Sequence, residues 1–120
     1  MADRKSIYIK YGSRVTAGAA ELLYDRILAG PALSPFFIDV DTDILREHMA
    51  DVLTVVTGGP NIYKGRNLAE AHADYRITRD DFLAVAAHLQ ASLTELQIEP
   101  ADIETILAAV GETADQIINA

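Results

Sequence analysis

Cysteine and tryptophan are absent from all 120 residues, and cationic side chains are scarce. Without cysteine there are no disulfides, thiolate metal sites or sulfur nucleophiles, a composition compatible with a cytoplasmic protein. Ten Lys and Arg against eighteen Asp and Glu leave a net charge of -8. So acidic a body offers no counter-charge to nucleic acid or to an anionic membrane surface. No apolar run approaches the roughly 20 residues of a membrane span, and Met-Ala-Asp-Arg-Lys-Ser lacks the apolar core of a secretion signal. Walker, G-x-G-x-x-G and G-x-S-x-G patterns are missing, as are repeats and low-complexity tracts. Half of the residues are hydrophobic. Residues 1–120 are therefore expected to form a single domain with one core.

The apolar residues recur at helical spacing, and no segment sustains period-two alternation. The expected class is all-α. Ser6 is a candidate cap for a short helix carrying Ile7, Ile9 and Tyr11 and stopped by Gly12. Ser13 is a candidate cap for the next, whose buried stripe is Val15, Ala19, Leu22, Leu23 and Ile27, with Tyr24 beside it. Gly30-Pro31 ends that helix, and Ser34-Pro35-Phe36-Phe37 forms one turn. Its two adjacent rings cannot both hide behind so short an element, so at least one must pack deep. Asp41 or Thr42 opens a helix in which Ile44/Leu45, His48/Met49, Val52/Leu53 and Val56 mark the apolar side and Arg46, Glu47 and Asp51 the solvated side. Gly58-Gly59-Pro60 stops it. A basic aromatic loop follows, then a short helix with Leu68, Ala71, His72 and Tyr75 on one side. Thr78-x-x-Asp81 resembles a capping box for a helix burying Phe82, Val85, Ala86, Leu89, Leu93 and Leu96. Pro100 starts the last helix, with Ile103, Ile106, Leu107, Val110, Ile117 and Ile118 inward. His88 carries no assigned chemistry.

Tyr24, His48 and His72 are polar groups on or beside apolar stripes. Each could be a core group satisfied by a backbone carbonyl; neutral imidazole also suits a metal or haem iron. The histidines lack H-E-x-x-H spacing, and no hydrolytic zinc set is present. A large apolar cofactor accounts for several features together: a partner for the marginal His72 helix, a cover for Phe36 and Phe37, and a shared object for His48 and Tyr24. It also gives a use to Lys64 and Arg66, since haem propionates need cationic or hydroxyl partners. The plain alternative for that loop is a solvated turn.

Taken together, Leu23 to Ala29 (LYDRILA), Leu33-Ser34-Pro35-Phe36-Phe37, Gly58 to Arg66 (GGPNIYKGR), Glu70-Ala71-His72 and Ile77-Thr78 resemble the group I truncated haemoglobins, over almost the whole chain. The resemblance implies a two-over-two helical sandwich around haem b, iron protoporphyrin IX. It implies His72 as proximal iron ligand, Tyr24 as distal hydroxyl and Phe37 on the haem face. Phe36, Leu45 and Met49 join the pocket, Tyr63 the propionate edge, and Leu68, Ile77, Phe82 and Val85 the proximal side. Met49 replaces a common distal glutamine; a thioether does not donate, which leaves Tyr24 as the main donor. His48 stands where some cyanobacterial and algal members carry a residue that binds iron. No histidine lies near the C-terminus, so the covalent haem link of some relatives is not expected. Tyr11-Gly12-Ser13 replaces a double glycine.

Two iron chemistries follow from the resemblance. In one, the site binds oxygen, nitric oxide or other small ligands through Tyr24, with nitric oxide dioxygenase activity sustained by a reductase and with His48 displaceable. In the other, His72 and His48 both hold iron for electron transfer. A haem-free helical module that binds a protein partner is the alternative of another class.

Overall fold

The computed structural model describes residues 4–31, 33–38, 40–59, 77–112, 114 and 118. Regular structure among them is entirely helical: α1 (Arg4–Tyr11), α2 (Ala17–Ala29), α3 (Thr42–Val56), α4 (Arg79–Glu95) and α5 (Pro100–Gly111). Two 3-10 turns, Gly12–Arg14 and Ser34–Phe37, complete the set. The all-α expectation holds for these residues.

Helix α2 is the central element. It packs against both α3 and α4, while α5 lies on α4 and also meets α1 and α3. Val15, Ala19, Leu23 and Ile27 are buried as the spacing requires, and they meet Leu53, Leu89, Leu93 and Ile106 in one core. Each large aliphatic side chain buried there contributes about 1.5–3 kcal/mol. Leu22 is only half-buried, because it sits at the margin of the stripe.

Local signals set most helix starts. The Asp41 carboxylate accepts from the Asp43 and Ile44 amides at 3.0 and 3.4 Å, capping α3. At α4 the Asp81 amide donates to Thr78 Oγ1 at 3.0 Å and the Thr78 amide donates back to Asp81 Oδ2 at 3.1 Å. Pro100 occupies the first turn of α5, where its missing N–H costs nothing.

The two serine caps do not form. Ser6 lies inside α1, and Ile9 is exposed, because two residues beyond buried Ile7 is nearly the opposite side of a helix. Gly12 adopts φ +56°, a left-handed conformation that ends α1, and Ser13 falls in the 3-10 turn that follows. That turn carries Val15 into the core before α2 opens at Ala17.

A polar lash fixes α1. Asp102, in the first turn of α5, is buried and accepts from the Tyr11 hydroxyl at 2.6 Å and from Lys10 Nζ at 3.2 Å. The same hydroxyl accepts from the Glu99 amide at 3.1 Å. At its other side α1 meets the end of α3, where the Tyr8 amide donates to the Thr57 carbonyl at 3.0 Å.

Candidate functional site

On α2, Ala20, Tyr24 and Ile27 fall at helical spacing and all three are buried, which brings a phenol into an otherwise aliphatic face. Tyr24 is 7% exposed, and its ring meets Phe37 edge-on, with centroids 5.8 Å apart and planes at 88°. Burial pushes the phenol up to about 12, opposed by the positive charge of Arg46. No described residue hydrogen-bonds its hydroxyl. Arg26 Nε, and not this hydroxyl, is the buried polar side-chain atom without a partner among the described residues.

Phe36 and Phe37 both pack against the core but are only half-buried, short of the depth expected for at least one of them. A four-residue 3-10 turn presents its rings sideways against the core without burying them. From α3, Leu45 and Met49 reach the same core, and from α4 so does Val85. Phe82 and Ile77, at the start of α4, are half-buried. The other edge of the α3 stripe opens outward: Ile44 is 48% exposed, and His48, one turn on, is exposed too. Ile38 is 77% exposed. His72, Tyr63, Lys64, Arg66 and Leu68 lie outside the described residues.

Incomplete enclosure of two phenylalanines, an outward isoleucine edge and a phenol on an otherwise aliphatic face fit a large, flat, apolar group with a polar centre. Those are the properties of haem.

Periodicity alone misplaces three residues of α3: Ile44 and His48, expected on the apolar side, are exposed, and Arg46, expected to be solvated, is half-buried. Arg46, read as solvated, has a side chain only 15% exposed. It folds back on α2, donating to the Glu21 carbonyl at 2.9 Å, to Glu21 Oε2 at 2.8 Å and to Asp25 Oδ1 at 3.0 Å. Its guanidinium carbon stands 6.0 Å from the centre of the Tyr24 ring. Glu21 and Asp25, one helical turn apart, were the available signal, for a paired acidic face attracts a cation. Which cation it attracts depends on tertiary packing.

The bacterial-like globin family profile matches residues 7–119. The chain belongs to this family. Among curated relatives, the group 1 truncated haemoglobin of Tetrahymena pyriformis is 33% identical over 119 residues, covering 98% of each chain. The group 1 truncated haemoglobin GlbN of a Synechocystis species is 34% identical over 110 residues, covering 88% of each. The crystal structure of the Tetrahymena pyriformis truncated haemoglobin in its Fe(III) form superposes with a TM-score of 0.89 at 32% identity, covering 95% of this chain and 98% of that one. The fold is therefore that of a truncated two-over-two globin, as the sequence resemblance implied, and the family is one of haem proteins that bind oxygen. No helix among the described residues of this truncated haemoglobin is long and apolar enough to cross a membrane.

Proposed function

We propose that this chain is a monomeric, single-domain haem b protein that binds oxygen or nitric oxide under the hydroxyl of Tyr24. The observation that carries the reading is a phenol, Tyr24, set on the buried aliphatic face of α2 and edge-on to Phe37. Haem, when bound, supplies the iron at which a diatomic ligand is held. Tyr24 would donate a hydrogen bond to that ligand, and because burial holds the phenol near 12 it stays protonated through the physiological range. Phe36, Phe37, Leu45 and Met49 exclude water from the same space and leave the phenol as the principal donor on this side. His72 takes the proximal position, Leu68, Ile77, Phe82 and Val85 the apolar wall beside it, and Tyr63, Lys64 and Arg66 the propionate edge.

With both ligands available, one nitric oxide, one dioxygen and one electron combine to one nitrate, the electron coming from a reductase. His48 serves as a displaceable sixth ligand, from an exposed position on α3 one turn after Ile44. A bis-histidyl electron-transfer role draws on the same position of His48.

Hemin titration of the purified chain tests the proposal. Wild type is expected to bind one equivalent with a Soret band that His72→Ala loses or strongly alters. Tyr24→Phe is expected to speed oxygen release about 10- to 100-fold, the loss of one hydrogen bond to a partly charged acceptor. A chain that takes up no hemin is a helical binding module, and the reading is then wrong. An unaltered off-rate removes Tyr24 from its role.

A further inference from the structure

The geometry points to Arg46 as the positioning residue for the distal tyrosine: by clamping α3 to α2 at Glu21 and Asp25, it fixes where the Tyr24 hydroxyl points. This inference rests on the reading of Tyr24 as donor to the bound ligand.

Tyr24 lies between the two carboxylates that Arg46 engages, three residues after one and one before the other. Each is reached through a separate guanidinium nitrogen, and the first also bonds the Glu21 carbonyl, so the plane of the guanidinium is fixed in two directions. The guanidinium carbon then stands over the Tyr24 ring, 6.0 Å from its centroid. The flanking residues of α3 are Leu45, which reaches the core, and, three beyond Arg46, Met49, which does so too. The clamp therefore sets the register between the helix that carries the donor and the helix that forms the neighbouring pocket wall. Phe37, edge-on to the same ring, restrains it from another side but belongs to a short 3-10 turn and brings no charge. Lysine cannot substitute fully, because a single ammonium lacks the fork that spans two acceptors.

A positioning role predicts action through Tyr24 and not beside it. The probes are the oxygen off-rate and the infrared C–O stretch of the carbon monoxide complex, which reports hydrogen bonding to the ligand independently of turnover. Arg46→Met is expected to raise the off-rate about 3- to 10-fold and to move the C–O stretch part of the way toward its value in Tyr24→Phe, a partial loss of one hydrogen bond. The double variant Arg46→Met/Tyr24→Phe is expected to match Tyr24→Phe in both. Glu21→Gln/Asp25→Asn keeps the arginine and the buried surface, removes the clamp at its exposed end, and is expected to shift the stretch in the same direction. This pair decides the matter if Arg46→Met does not fold. A wild-type stretch in both the Arg46 and the carboxylate variants, or an Arg46→Met effect of full size on the Tyr24→Phe background, overturns the assignment while leaving Tyr24 as donor. If Tyr24→Phe itself leaves rate and stretch unchanged, the donor reading fails and this one with it.

Discussion

The hydroxyl of Tyr11 and the carboxylate of Asp102 lie 2.6 Å apart, joining the first helix to the last of the described helices. Their bond is charge-assisted and largely withdrawn from water, since Asp102 is buried. The Tyr11 hydroxyl and, next, Lys10 hold the carboxyl below the ordinary carboxylate range.

Removing the hydroxyl with Tyr11→Phe is expected to destabilise the protein by about 1.5–3 kcal/mol, the usual worth of a hydrogen bond to a charged group. Urea melts at neutral pH measure it. A depressed folded pKa contributes stability that is present above the unfolded value of 3.8 and is lost as pH falls through the folded one. Wild type should therefore lose more stability than Tyr11→Phe on acidification below about 4. Parallel acid curves for the two proteins would remove the linkage.

At high pH the sign runs through Tyr24. Its folded pKa, near 12, exceeds the unfolded value of 10, so its contribution is intact below 10 and falls as the unfolded chain ionises above it. Between pH 10 and 12 the haem-free wild type should lose more stability than haem-free Tyr24→Phe, as thermal melts on both will register.

Gly59 is packed so closely that a Cβ there would meet Tyr8 Cδ1 at 2.7 Å and Thr54 Cγ2 at 2.8 Å. Gly59→Ala must push α1 away from the end of α3, at a cost of about 1–3 kcal/mol. A reduced denaturation midpoint with an unchanged m-value is the expected outcome; an unaltered midpoint contradicts it.

Thr78→Ala removes one half of the capping box and should cost about 1 kcal/mol. Asp81→Ala should cost less in combination than alone, since the two bonds close on each other. A double-mutant cycle by chemical denaturation measures the coupling.

His48→Leu separates the two resting states of the proposed iron centre. Low-spin ferric bands in wild type that become high-spin in the variant are expected from a displaceable histidine ligand; identical spectra reject ligation.

Much of this fold is legible in the chain because its signals are local. Asp41, the Thr78–Asp81 pair and Pro100 announce helix starts through groups at most three residues away, and Val15, Ala19, Leu23 and Ile27 announce a buried face through period alone. Ser13 misleads for the same reason: its hydroxyl is a good cap in isolation, but left-handed Gly12 and the demand to bury Val15 place a 3-10 turn there. Asp102 and Arg46 were illegible, since the partners that bury them, Tyr11 and the Glu21/Asp25 pair, are 91, 25 and 21 residues away. For the site, Tyr24 could be read from its place beside the stripe. The part of Phe37 came only from family resemblance, and that of His72 lies outside the described residues.

The α1 lash also has a consequence in time. Tyr11 leaves the ribosome 91 residues before Asp102, an interval of about 5–18 s at ~5–20 residues per second. For nearly all of that interval the nascent first helix has neither its buried anion nor the Glu99 amide, which is made 88 residues after Tyr11. It can mature only after translation of the helix that carries Asp102 begins, so α1 is made well before it can lock.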